Sequence, residues 1–373
     1  MDNIKNKRII FYYPAPFNRN ASSASGIRPV KMYDAFVEAG YIVDKIVGYS
    51  KDRLLCFRKI RNNVNNGIRY EFVYGESTTM PTELSDPKHI PIHPFLDFRF
   101  FKFCRRNDIS IGIFYRDIYW RFPEYKEKVS TVKRHIALFF YYFDLIQYRR
   151  YLNTLFLPSV NMSKYIPFTK EKQIFHDLPP GHDCDLTDEL VVDNPLKLIY
   201  VGGIGSLNRL HMLFESLIDN KNIKLTVCTR KNEWTAVMND YVNISLSNNI
   251  AIEHQSGDSL KLLYNDANLA LLFMPIDDYK SFAVPFKLYE YIGYCLPIIT
   301  SKGTFAGNIV EKLNIGWNIE YSKDSFENLL KYLSENLWEV KEKFENIRKI
   351  QHLHSWYQRV KTVENILTES REI

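Results

Sequence analysis

The apolar positions of this chain alternate between short β-branched or aromatic runs and longer stretches with helical spacing. Arg8-Ile-Ile-Phe-Tyr-Tyr13 predicts a first strand. Val30, Tyr33, Ala35, Phe36 and Val37 follow in a helical pattern closed by Gly40, and residues 41–47 predict a second strand. Between them, residues 14–25 are rich in Pro, Asn, Ser and Ala and predict a long loop, after which Gly26 would let backbone approach a phosphate. Residues 70–74, 109–115 and 151–158 predict further strands, and residues 95–106 an amphipathic helix. In residues 131–150, Val132, Ile136, Phe139, Phe140, Phe143 and Ile146 recur at helical spacing, with Lys126, Lys128, Lys133 and Arg134 at one end and Arg149 and Arg150 at the other. Leu138, Tyr141 and Tyr142 make that helix apolar nearly all round, which predicts a core helix. The alternative is a basic, aromatic helix lying on a membrane surface.

Residues 175–185, with Pro179-Pro-Gly181, predict a link to a second series of the same kind. Strands are expected at 196–201, 224–228, 250–253 and 269–274, and helices at 210–217 and 259–265. The most informative stretch is Val284-Pro-Phe-Lys-Leu-Tyr-Glu-Tyr-Ile-Gly-Tyr-Cys-Leu-Pro-Ile-Ile-Thr300. Pro285 suits a helix entry, Leu288, Tyr291 and Ile292 share a face, and Gly293 suits a left-handed cap before the strand Ile298-Ile299-Thr300. This alternation predicts an α/β protein with a doubly wound parallel sheet in each half. Such sheets bind ligands at strand C-termini and helix N-termini. Lys287 and Glu290, in the first turn of that helix, would then face a crevice, or else form a solvated charge pair. By the same rule Arg116 and Asp117, at the end of the 109–115 strand, are candidates for chemistry.

Composition narrows the class. The 373 residues, 46% apolar and 25% charged, predict a soluble globular protein of two domains. A net charge of +6 suits a phosphate-bearing ligand or an anionic membrane, and no motif points to nucleic acid. Five cysteines without paired spacing suit neither zinc nor a disulfide framework and fit a reducing cytoplasm. The longest strongly apolar run, residues 136–143, is far short of the ~20 that span a bilayer. His89 and His93 have Pro91 between them, and Asp183-x-Asp185 is a chance-level match, so no metal is expected. Gly203-x-Gly205 hints at a dinucleotide loop. Asn208 at the third glycine position and Thr229-Arg230 in place of an acidic ribose ligand argue against NAD. The glycines and Arg209 still suit a phosphate.

Several segments together resemble the nucleotide-sugar glycosyltransferases of family 4, which have the GT-B architecture. The strongest is Pro285-Phe-Lys-Leu-Tyr-Glu-Tyr-Ile with Leu296-Pro-Ile-Ile-Thr-Ser301. Tyr200-Val-Gly-Gly203 with Arg209, Leu271-Leu-Phe-Met-Pro275 and His354-Ser-Trp-Tyr are similar to other family segments. The resemblance covers most of residues 196–370. In the first half it rests on Gly26, Arg116-Asp117 and Leu157-Pro-Ser159. It implies two Rossmann-like domains facing a cleft: residues 1–180 on the acceptor side, joined by a crossing helix at 352–373, and residues 181–351 binding the nucleotide sugar. It also implies that Glu290 accepts hydrogen bonds from the ribose, and that Lys287 and Arg209 neutralise the diphosphate. Gly26 and Gly203 would bring backbone to it, and His254 and Gln255 would lie by the base. Arg116 stands where many members have histidine, Asp117 is the candidate base or acceptor-orienting group, and Phe282 stands where a second glutamate is usual.

The implied activity is transfer of a hexose from a nucleotide-diphosphate sugar to a glycan or lipid-linked acceptor, with retention of configuration. The setting would be bacterial-type surface polysaccharide or glycoconjugate assembly. No cofactor or obligatory metal is expected beyond the donor substrate. The implied location is the cytoplasm, with peripheral contact to an anionic membrane at its inner face. The alternatives are a non-catalytic GT-B subunit that binds glycan or a partner transferase, and a sugar-nucleotide epimerase.

Overall fold

The computed structural model describes residues 7–21, 23–168, 174–184, 190–205, 208–218, 220–241 and 248–369. The chain divides into two compact units. Unit 1 is Met1–Pro180 with Trp356–Ile373, and unit 2 is Gly181–Ser355.

Unit 1 is built on six parallel strands: β1 (Arg8–Tyr13), β2 (Ile42–Val47), β3 (Phe72–Glu76), β4 (Ser110–Phe114), β5 (Thr154–Leu157) and β6 (Ile174–Asp177). They lie in the order β2-β1-β3-β4-β5-β6. The winding reverses between β1 and β3, so the carboxyl ends of these strands, Tyr13 and Glu76, mark the unit's switch point. Residues 175–177, expected in the interdomain link, instead form the edge strand β6, paired with β5 from Leu155↔Phe175 to Leu157↔Asp177. The covering helices are α1 (Ala24–Glu38), α2 (Ser50–Asn65), α3 (Leu96–Arg106), α4 (Pro123–Lys128) and α5 (Thr131–Tyr151). β3, β4 and β5 are buried along their whole length, as parallel strands covered on both faces must be. The core is aromatic, with Phe11 meeting Tyr33 and Tyr74 edge-on at 5.6 Å in each case.

The structure corrects the expectation that α5 is a core helix. Ala137, Tyr141, Asp144, Leu145 and Tyr148 are buried, but Val132, Ile136, Phe139 and Ile146 stand 72, 48, 64 and 49% exposed. The apolar pattern runs round the helix, whereas its burial is one-sided.

Unit 2 holds β7 (Leu196–Val201), β8 (Ile223–Cys228), β9 (Ile250–Glu253), β10 (Leu269–Leu272), β11 (Ile298–Ser301) and β12 (Gly316–Ile319), all parallel and ordered β12-β11-β10-β7-β8-β9. Its helices are α6 (His211–Glu215), α7 (Lys231–Val237), α8 (Asp258–Asp266), α9 (Phe286–Gly293), α10 (Phe305–Leu313), α11 (Lys323–Glu335) and α12 (Leu337–Ile350). Successive residues feed opposite faces of the sheet. Leu198, Leu225 and Leu271 enter one apolar cluster, and Ile199, Ala270 and Ile298 enter another with Leu288 and Ile292 of α9. Here the order reverses between β7 and β10, and α9 is the first helix after β10.

A final described helix, α13 (Trp356–Glu369), belongs to unit 1, where it packs on α1, β3 and β4. Gly112 in β4 makes that docking possible. A Cβ there would lie 2.6 Å from the Phe156 ring and 2.9 Å from a Leu367 methyl.

Candidate functional site

In unit 2 the carboxyl ends of three strands are stitched together. Gly202 N–H donates to Cys228 O at 3.1 Å, and Thr229 N–H to Glu253 O at 3.0 Å. The Tyr291 hydroxyl accepts from Val201 N–H at 3.0 Å, which anchors α9 to the end of β7. That anchor brings Lys287 and Glu290 of α9 to the switch point. The two are ion-paired, with side chains 25 and 22% exposed, so they are neither sealed in nor freely solvated.

Sequence reasoning missed the third member, Tyr264 of α8. Its hydroxyl donates to Glu290 Oε2 at 2.8 Å and accepts from Lys287 Nζ at 3.2 Å. Burial drives the Tyr264 phenol well above its ordinary pKa, so it remains a donor across the physiological range. All this hydrogen bonding falls on Oε2. Glu290 Oε1 accepts no hydrogen bond among the described residues. The cluster therefore presents a cation and an open carboxylate oxygen within a single turn of helix. No sequence spacing pointed to Tyr264, because its contact is made between two helices.

Gly293, expected to be a left-handed cap, ends α9 for another reason. The left-handed residue is Cys295 (φ 54°), and a Cβ on Gly293 would sit 2.7 Å from His182 Cγ. Glycine is needed there for close packing.

The other predicted residues lie around the same sheet edge. His254 Nδ1 donates to Thr229 O at 2.8 Å, and Gln255 O accepts from Cys228 Sγ at 3.4 Å, so both sit beyond the ends of β8 and β9 with their side chains exposed. Arg209 is exposed just before α6, and the next residue, Leu210, donates its N–H to the Tyr241 hydroxyl at 3.2 Å. The glycine loop after β7 holds an unforeseen carboxylate. Glu233 Oε2 accepts from Ile204 N–H at 3.3 Å, would lie 3.1 Å from a Cβ on Gly203, and belongs to a side chain ion-paired with Arg230. Phe282 is buried against Tyr279 at 5.3 Å and offers no polar group. Asp185 of the Asp-x-Asp pair lies outside the described residues. Among the described residues no group of three or more His, Cys, Asp or Glu is placed to hold a metal ion.

In unit 1 the switch point is organised by Glu76, whose carboxylate is fully buried. Arg28 reaches Oε1 at 3.1 Å, Arg116 reaches Oε2 at 3.2 Å, and the Tyr74 hydroxyl donates to Oε1 at 2.9 Å. Two guanidiniums against one carboxylate leave the Glu76 cluster itself with an excess of positive charge, next to Asp117. All three nitrogens of the Arg116 guanidinium are engaged, since Nε donates to Ser77 O and Nη1 to Ser25 O at 2.6 Å. Arg116 thus ties the first turn of α1 to the sheet. The structure places Gly26 in that turn, where its N–H is donated to Ser23 O at 3.0 Å and a Cβ would strike Ala21 at 2.5 Å. Asp117 is half-buried and accepts from Tyr119 N–H at 2.9 Å. Glu76 escaped notice because the strand was expected to end two residues earlier, and Arg28 because a buried arginine looks like a surface one in sequence.

No family model matches the sequence, and no curated protein matches it. Solved structures do match along nearly the whole chain. A glycosyltransferase from Rickettsia africae superposes with a TM-score of 0.66 at 13% identity over 98% of both chains. HepE of Anabaena, in complex with UDP and glucose, gives 0.62 at 11% identity over 97% of this chain and 100% of that one. WaaG, a glycosyltransferase involved in lipopolysaccharide biosynthesis, gives 0.54 at 15% over 98% and 100%. The fold is GT-B. Parallel α/β sheets in general take ligands where the strand order reverses. The Glu76 cluster and the Lys287–Glu290–Tyr264 cluster occupy those points in their respective units.

Proposed function

We propose that this GT-B protein is a glycosyltransferase that moves a sugar from a nucleotide-diphosphate sugar to a glycan or lipid-linked acceptor. The observation that carries the proposal is the Lys287–Glu290–Tyr264 cluster at the switch point of unit 2. Glu290 Oε1 is open to the ribose hydroxyls, with Tyr264 and Lys287 holding the other oxygen. Lys287 would turn from Glu290 to the diphosphate, assisted by Arg209. Charge grows on the diphosphate as it leaves, so a cation fixed there stabilises the transition state more than the ground state. His254 and Gln255 would lie by the base. The binding of UDP and glucose by HepE supports a donor of this chemical class.

In unit 1, Arg116 and Gly26 shape the turn that opens α1, and Asp117 orients the acceptor hydroxyl. The reaction proceeds with retention at the anomeric carbon, with side-chain cations at the diphosphate in place of a metal. We place the protein in the cytoplasm, in assembly of a surface polysaccharide or glycoconjugate. Calorimetry with a panel of nucleoside diphosphates tests the donor site. Glu290→Ala should weaken the best ligand about 10- to 100-fold, the range for losing hydrogen bonds to a charged group, and Lys287→Ala should weaken it comparably. Undiminished affinity in both variants would falsify the assignment.

A second reading, a non-catalytic GT-B subunit, is favoured by the buried Phe282 and by the carboxylate of Glu233 on the glycine loop. It predicts nucleoside-diphosphate binding with no sugar released from any member of a panel of nucleotide-diphosphate sugars.

A further inference from the structure

The apolar stripe of α5 has no cover among the described residues. Val132, Ile136, Phe139, Phe143 and Ile146 recur at spacings of three and four, which places them on one face of a helix 21 residues long. Four of these five are among the exposed large apolar side chains of the molecule. The stripe is extended at its sides by two more exposed phenylalanines, Phe95 at 55% and Phe168 at 50%. Phe95 packs edge-on against Phe143 at 5.7 Å, and Phe168 against Tyr142 at 5.6 Å. Both hold a left-handed backbone, φ 63° and 62°, a conformation bulky side chains rarely take. A strained backbone that turns an aromatic ring outward, twice beside the same helix, points to something that receives those rings.

The charge on this face is one-sided. Together α2, α3 and α5 carry thirteen Lys and Arg against three Asp and no Glu. Arg53 and Asp97 are withdrawn from the surface in a buried ion pair, and Asp144 is buried on the covered side of α5, which leaves twelve cations against Asp52. The whole chain carries only +6, so these three helices hold more than all of the net charge and the remainder is net negative. Beside Phe95 the basic residues gather. A groove of about 420 Å³ between α2 and α3 has an apolar floor of Leu54, Phe57 and Leu96 and a rim of Arg58, Arg61, Arg99 and His93. Exposed Ile90 and Ile92 belong to the segment that leads to this rim.

We infer that this face of unit 1 docks on an anionic phospholipid bilayer. The α5 stripe with Phe95 and Phe168 lies in the interface, and the arginine-rimmed groove takes headgroup phosphates. No described helix is long and apolar enough to cross a membrane, so attachment would be along the surface. An apolar stripe alone would suit a second copy of the chain equally well. A stripe on helices whose exposed charges are almost all cationic repels its own copy and matches an anionic surface, where each Lys or Arg adds roughly fivefold in affinity. The inference stands apart from the donor-site proposal, since none of these residues belongs to the clusters at the strand ends.

Co-sedimentation of the full chain with vesicles tests it. Vesicles of equal parts phosphatidylcholine and phosphatidylglycerol should bind at least tenfold more protein than vesicles of phosphatidylcholine alone. Raising salt from about 0.1 M to about 1 M, which shortens the screening length from roughly 10 to 3 Å, should release most of it. Phe139→Asp with Ile146→Asp, both at exposed positions, should abolish sedimentation while the circular-dichroism melt stays unchanged. Arg58→Glu with Arg61→Glu should weaken binding to the anionic vesicles alone. Equal binding to both vesicle types, or no binding to either, overturns the inference. So does light scattering that shows a dimer broken by the Phe139→Asp and Ile146→Asp pair in protein that does not sediment.

Discussion

Glu233 is the single side chain most at odds with the sequence around it. The glycines after β7 suggest a loop open to a phosphate, yet Glu233 Oε2 sits on the Ile204 N–H and stays within an ion pair to Arg230. A diphosphate arriving there must displace that carboxylate or accept its repulsion. Glu233→Gln should therefore tighten nucleoside-diphosphate binding by roughly three- to tenfold, about the effect of one like charge at short range in a partly solvated site. Calorimetry on the variant decides it, and weaker binding would mean that Glu233 shapes the loop for the ligand. Residues of this kind were illegible in the sequence for a common reason. Glu233, Tyr264 and Glu76 act through partners on other elements, Glu290 and Lys287 in the case of Tyr264, and neither hydropathy nor spacing encodes such a meeting. Lys287 and Glu290 were legible because they lie on one helical turn directly before a buried strand.

Elements were easier to read than contacts. The strand runs Arg8–Tyr13, Leu196–Val201 and Ile298–Ser301 are rich in β-branched, aromatic and leucine side chains and bounded by turn residues, so the sequence alone marks them. α2 was missed, since its mixture of Arg, Lys and Asn keeps little apolar periodicity. α5 was read with the right extent and the wrong burial, because a pattern reports which faces could be covered and says nothing of which are. The docking of α13 on β4 shows how narrow the tolerances are between elements. Gly112→Ala would force its new methyl against Phe156 and Leu367, and overpacking of this kind costs about 1–3 kcal/mol. Urea unfolding should show that loss in the single variant. Combining it with Leu367→Ala should give a total below the sum of the two, because the smaller side chain relieves the clash. Strict additivity would mean that α13 shifts bodily instead.

At the scale of the whole molecule, stability should fall toward alkaline pH. Burial pushes Asp144 up to about 8, with Oδ2 accepting from Thr82 N–H at 2.8 Å and Oδ1 without a hydrogen-bond partner among the described residues. Burial likewise pushes Glu83 up to about 7. Both carboxyls are neutral in the folded chain where the unfolded chain has already ionised them. Their contribution is complete below the ordinary carboxylate range of about pH 4 and is lost as pH climbs through 7 and 8. Opposing groups act elsewhere. Asp86, raised by burial but lowered further by hydrogen bonds from Ser50 and Ile92, matters only in acid, and His176, lowered by burial, stops contributing above about pH 6.5. Between about pH 6.5 and 8.5 the melting temperature should therefore drop, by roughly 2–4 °C for each kcal/mol lost, and Asp144→Asn should flatten the slope. An unchanged slope in the variant would assign the effect to other groups.

The return of α13 to unit 1 also has a consequence for the order in which the chain is made. A ribosome delivers β1 to β6 first, but the helix that fills the face over Gly112 emerges only after all of Gly181–Ser355 has been synthesised. Unit 2 can finish its sheet while unit 1 is still open over β3 and β4, so the half made first is the last to close.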